Sequence, residues 1–119
     1  MCNATGFETN STGIRRIGVS QTGSAQNNHM MQPIDSPTVY FQSLTNTITV
    51  DFGTQPVNSF VVTISSLYTD VDYYATSSFT TIPLAPDGFS DYSIVITTAA
   101  GDVFEGILTA SDYTTSEMY

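Results

Sequence analysis

The chain has 119 residues and contains no lysine. Its only basic side chains, Arg15 and Arg16, face eleven acidic ones, for a formal net charge of −9. A surface that neutralises phosphates needs clustered Lys or Arg, so nucleic-acid binding is excluded, as is attraction to anionic lipid headgroups. Without lysine there is also no Schiff-base chemistry and no phosphate-binding P-loop. Cys2 is the single cysteine, which rules out an internal disulfide. His29, in "AQNNHMMQP", is the single histidine. One His and one Cys cannot supply a structural zinc site. The chain also lacks the G-x-S-x-G elbow that would mark a nucleophilic serine. We read His29 as a solvated loop residue, because catalytic bases are held on rigid elements. No apolar run approaches the ~20 residues of a membrane-spanning helix. The start, "MCNATGFETN", has neither the basic residues nor the apolar stretch of a signal peptide. The chain then reads either as cytosolic or as the mature part of an exported protein with an added Met1.

What remains is 40% hydrophobic and only 11% charged, a balance that builds a packed core rather than a disordered chain. Seven Tyr, seven Phe and abundant Thr favour pleated surfaces, where β-branched and aromatic side chains pack well. No segment carries a sustained 3.6-residue apolar stripe, so little helix is expected. In "TITVDF" (47–52), Ile48, Val50 and Phe52 share one face, the two-residue period of a half-buried strand. Phe60, Val62 and Ile64 repeat it in "FVVTISSL", and Tyr92, Ile94 and Ile96 in "YSIVITT". "AAGD" then turns the chain into "VFEGIL". There the apolar residues fall into two sets, Val103 with Ile107 and Phe104 with Leu108, and both registers remain open.

These signals predict an all-β protein, an antiparallel β-sandwich of about seven strands. Residues 1–36 are irregular, with a possible short strand at 14–19. Residues 37–110 form the sandwich, and residues 111–119 a polar tail. "YTDVDYYATSSF" (68–79) is expected at an edge, and "APDGFSD" (85–91) is a turn cluster.

Three sets of residues could carry function. Tyr40, Tyr68, Tyr73, Tyr74, Tyr92 and Phe104 form an aromatic set that could stack on sugars or fill a partner's pocket, since Tyr joins an apolar face to a polar tip. Tyr68, Tyr73 and Tyr74 are the candidate ligand-binding rings, and core and cross-strand packing is the alternative for the whole set. Asp70 and Asp72 lie two apart, on one strand face, and are candidate metal ligands. Asp87 and Asp91 offer a second carboxylate pair, yet neither pair matches a twelve-residue calcium loop. Cys2, followed by a polar stretch, stands where a bacterial lipoprotein carries its lipid, and is the candidate anchor. "NAT" (3–5) and "NST" (10–12) match the N-glycosylation pattern.

The order of segments resembles a family of small secreted domains of unknown function common in Bacteroides, which have an immunoglobulin-like fold. The resemblance is carried by "IRRIGV", the Pro-led "PIDSPTVYF", "TITVDF", "FVVTI" and the closing hairpin "YSIVITTAAGDVFEG", covering residues 14 to about 109. It departs from the family pattern in "TDVDYYATSS", which lacks the hairpin glycine, and in its longer tail. The hairpin also looks like the C-terminal sorting domains of Bacteroidetes secretion, although those end in basic residues. The family resemblance implies an immunoglobulin-like sandwich, export to the periplasm or cell surface, and no known catalytic residues. The expectation is a non-enzymatic module without cofactor, binding an unidentified protein or glycan at the cell envelope or serving a structural role there. Alternatives are a carbohydrate-binding or minor glycan-active protein using its tyrosines, and a fibre or virion subunit donating its N-terminal segment.

Overall fold

The computed structural model describes residues 13–23 and 34–114; His29, Cys2 and both N-glycosylation patterns lie outside them. Among the described residues, nine strands form two antiparallel sheets. One sheet has four strands in the order β1 (Ile14–Ile17), β3 (Thr38–Gln42), β4 (Thr47–Asp51), β7 (Phe79–Pro83). The other has five, β2 (Val19–Gly23), β9 (Val103–Leu108), β8 (Tyr92–Thr98), β5 (Phe60–Ser65), β6 (Asp70–Ala75). A five-residue helix, α1 (Ala110–Thr114), follows β9.

The alternation read from sequence is the one that builds the core. Ile48, Val50 and Phe52 face Phe60, Val62 and Ile64 across the interface, with Ile94 and Ile96 beside them, all at most 3% exposed. Phe52 stands at the centre of an edge-to-face cluster, 5.1 Å from the ring of Phe60 and 5.8 Å from that of Phe104. Tilted geometries of this kind add about 0.5–1.5 kcal/mol per pair beyond area burial.

The register of the last hairpin, open in the sequence, is settled by pairing. Ile96 lies opposite Phe104 and Tyr92 opposite Leu108, so Phe104 and Leu108 point inward and Ile107 is exposed. Between them, Gly106 faces a place where no side chain fits. A Cβ there would lie 2.6 Å from the Gly18 carbonyl oxygen and 2.6 Å from Val19 Cγ1.

That close approach explains a difference from the expected short strand at 14–19. The N-terminal strand breaks at Gly18 and changes sheets, β1 pairing with β3 and β2 with β9. The strand count rises to nine for this reason, and the sandwich starts at residue 14 rather than 37. One strand that serves both sheets ties their edges on one side. Residues 14–23 are therefore paired within their own chain.

The polar tail also differs from its reading. Tyr113 on α1 is buried, its ring 6.3 Å from Phe41 and 6.1 Å from Tyr92. A helix this short shows no periodicity to read, and its one buried ring lies among Ser, Thr and Asp.

Candidate functional site

The three candidate tyrosines do not converge. Strand β6 is the outer edge of the five-stranded sheet, as its polar composition suggested, and alternation sends successive side chains to opposite faces. Tyr73 turns inward and packs against the core. Tyr74 turns outward and is 76% exposed. Tyr68 sits in the β5–β6 turn, towards the other end of the sandwich, also largely exposed. Asp70 and Asp72 share the outward face of β6 with Tyr74. Asp72 accepts a hydrogen bond from the Thr63 hydroxyl at 2.8 Å. No third ligand joins these two, and no cluster of three metal-ligating side chains occurs among the described residues.

Asp87 and Asp91 do structural work. The Asp87 carboxylate accepts from the backbone N–H groups of Phe89 and Ser90 at 2.9 and 2.7 Å and from the Ser90 hydroxyl at 2.6 Å. The Ser90 hydroxyl above all holds the Asp87 carboxyl below the usual carboxylate range. Asp91 accepts from the Ala110 N–H at 2.8 Å, at the start of α1. The Tyr113 hydroxyl donates to the Ser90 carbonyl at 2.7 Å. Burial, followed by the nearby Asp87 charge, raises the Tyr113 phenol above its ordinary value.

Two concavities adjoin at the opposite end, where β8 turns into β9. The larger, about 480 Å³, lies between Ile34 and residues 56–59 on one wall and the hairpin turn on the other. Its volume falls within the ~300–1,000 Å³ usual for small-molecule sites. The smaller, about 240 Å³, extends over the start of β5 to Tyr74 and Thr76. Ser59, Thr98 and Ala99 line both, so the two form one groove.

The walls of this groove are fixed. Asp35 N–H donates to the Gln55 side-chain oxygen at 2.6 Å, and the Gln55 amide returns a bond to the Asp35 carbonyl at 3.1 Å. Ala99 N–H donates to the Ser59 carbonyl at 3.1 Å, tying the hairpin turn to β5. Gly101, at φ +109°, gives the turn the positive φ its shape requires. Two polar side chains are left over: Asn58 and Ser59 make no side-chain hydrogen bond among the described residues. Asp102, the only charged group on the lining among those residues, accepts from the Gln21 side-chain amide at 3.3 Å. Thr98 is 6% exposed, and its hydroxyl accepts from Asp102 N–H at 3.0 Å. The same hydroxyl has a proton of its own to donate.

The exposure of one ring of the Tyr73–Tyr74 pair and the hairpin turn were legible in the sequence, and the groove was not. Asn58 and Ser59 lie in a loop, and only the packing of that loop on the turn brings them to Thr98. A third concavity, of about 500 Å³, lies at the other end of the sandwich, lined by Leu67, Phe89 and Ile107 with Asp91 and serines between. Its three apolar side chains are all more than half exposed.

Two antiparallel sheets packed around a shared apolar interior, with a strand that changes sheets, define an immunoglobulin-like β-sandwich. The chain is similar in structure to a DUF3244 family protein with this fold from Bacteroides vulgatus. The TM-score is 0.56 at 17% sequence identity, over 81% of this chain and 97% of that one. No protein-family model and no curated protein matches the sequence. At this identity the likeness defines the fold, and a sandwich of this kind hosts many functions.

Proposed function

We propose that the protein is a non-enzymatic binding module exported to the bacterial cell envelope. One observation carries this reading: among the described residues, the hairpin-end groove is lined by an amide, hydroxyls and a single carboxylate. Such a set can hold a ligand by hydrogen bonds. It cannot share the work of an acid and a base as hydrolysis of a glycosidic bond requires, since that chemistry needs two carboxylates. The scarcity of basic residues argues for a neutral or cationic partner rather than an anionic one. Export is what the family resemblance of the sequence implies. Retention at the membrane surface would be through acylation of Cys2.

The test is capture of envelope material by the immobilised chain. Recovery of a specific protein or glycan is the expected result, and recovery of neither from a complete envelope extract overturns the binding reading. Cell fractionation tests location separately: a Cys2→Ala protein should leave the membrane fraction, and the intact mass of the wild type should carry the acyl groups.

A further inference from the structure

Resting on the binding-module reading, we propose that the hairpin-end groove is a recognition site for a neutral oligosaccharide. In it Tyr74 stacks on a sugar ring, and Asn58, Ser59, Thr98 and Asp102 bind the hydroxyls. A pyranose presents an apolar face of C–H groups and a rim of hydroxyls, each able to donate and accept. The groove offers the complement of both. Tyr74 forms one cross-strand row with Val61 and Thr97 on the outer face of the sheet, and at 76% exposure its ring stands free beside the smaller concavity. Tyr brings a rigid apolar face with a polar tip at small entropic loss, which suits stacking.

Along the groove from Tyr74, the nearly buried Thr98 hydroxyl accepts from Asp102 N–H and has its own proton still to give. A ligand oxygen in the groove would accept it. Asn58 supplies both a donor and an acceptor, and Asp102 accepts from hydroxyls while making the lining anionic. No Lys or Arg lines the groove, which sets sulfated and uronate-bearing sugars against neutral ones. The bonds from Ala99 to Ser59 and between Asp35 and Gln55 hold the site in shape before a ligand arrives, which reduces the ordering entropy of binding. The concavity around Leu67, Phe89 and Ile107, at the other end of the sandwich, has Asp91 engaged by the Ala110 N–H and serves as the internal control.

The full chain, labelled and applied to an array of neutral oligosaccharides beside sulfated and uronate-bearing ones, should be retained by neutral chains. Isothermal titration with the soluble form of a retained oligosaccharide should then show Tyr74→Ala weakening binding by about tenfold, the scale of one lost stacking contact. Asn58→Ala should weaken it in the same direction, while Tyr68→Ala at the opposite end leaves it unchanged. Both Tyr74 and Asn58 are exposed, and melting curves matching the wild type establish that the variants fold. Retention by anionic chains alone overturns the proposal, and so does binding that survives both Tyr74→Ala and Asn58→Ala. If the array retains nothing while envelope capture recovers a protein partner, the glycan proposal fails and the binding-module reading stands. If both fail, the two fall together.

Discussion

At the hairpin end the chain turns from β8 to β9 mainly on backbone bonds, Thr98 N–H to the Asp102 carbonyl at 2.9 Å and Gly101 N–H to the Thr98 carbonyl at 3.0 Å, with one side chain, the Thr98 hydroxyl, taking the Asp102 N–H. At the opposite end, the loop from β7 to β8 is irregular, and side chains do that work. Asp87 takes the N–H groups of Phe89 and Ser90, the Tyr92 hydroxyl accepts from Asp87 N–H at 3.0 Å, and Tyr113 closes over the Ser90 carbonyl. Buried or half-buried backbone groups must be satisfied one way or the other. Where the backbone largely satisfies itself, Asn58 and Ser59 are left without a side-chain bond among the described residues. Where it does not, Asp87, Tyr92 and Tyr113 are engaged, and Leu67 and Phe89 stand exposed beside them. The difference between the ends sets the proposed recognition groove against a side-chain network that contributes stability.

The largest effect should come from Tyr113. Tyr113→Ala removes a ring packed on Phe41 and Tyr92 together with the hydroxyl on Ser90, and should destabilise the fold by about 3–5 kcal/mol in denaturant unfolding. Tyr113→Phe keeps the ring and should cost about 1–2 kcal/mol. Equal losses for the two variants would show that packing is not what α1 contributes.

Gly106→Ala acts between the ends, where β2 crosses β9. Its Cβ meets a backbone oxygen that cannot rotate away, so the strand must shift, at about 1–3 kcal/mol. Amide hydrogen exchange should quicken along β1 and β2 and not along β6. Unaltered protection of residues 14–23 would mean that the crossing does not depend on that glycine. Gly101→Val should be smaller still, about 1–2 kcal/mol, because it places a branched residue at a positive φ in the turn. Loss of stability there should leave the Tyr113 network protected from exchange, and collapse of both ends together would refute their independence.

Much of this architecture was legible in the residues. Ile48, Val50 and Phe52, or Phe60, Val62 and Ile64, declare a buried face because a two-residue period has a single structural meaning. Gly106 could not be read in the same way. Its need for space comes from Gly18 and Val19, almost ninety residues earlier in the chain, and local periodicity carries no such information. Tyr113 was hidden for a related reason: one apolar side chain in a polar tail makes no pattern until its partners are known. Of the candidate site, Tyr74 was visible as half of a pair that alternation must split. Asn58, Ser59 and Thr98 become neighbours only through the register of β5 on β8, with Phe60 opposite Thr98.

The finest distinction between the ends is their response to pH. Asp87 has its carboxyl lowered in the fold, first by the Ser90 hydroxyl. A group depressed in this way contributes stability above its unfolded value, about 4, and loses it as pH falls through the folded value. Tyr113 is raised, first by burial. Its contribution is complete below about 10 and is lost as pH climbs through the higher folded value. The loop and helix end should therefore loosen at both extremes, below about pH 4 and above about pH 10, and hold steady between. Melting temperature measured across pH for the wild type, Asp87→Asn and Tyr113→Phe separates the two limits. Asp87→Asn should flatten part of the acid slope and keep the alkaline one, and Tyr113→Phe should do the reverse. An acid slope untouched by Asp87→Asn would move the effect to other carboxylates and remove pH as a distinction between the ends.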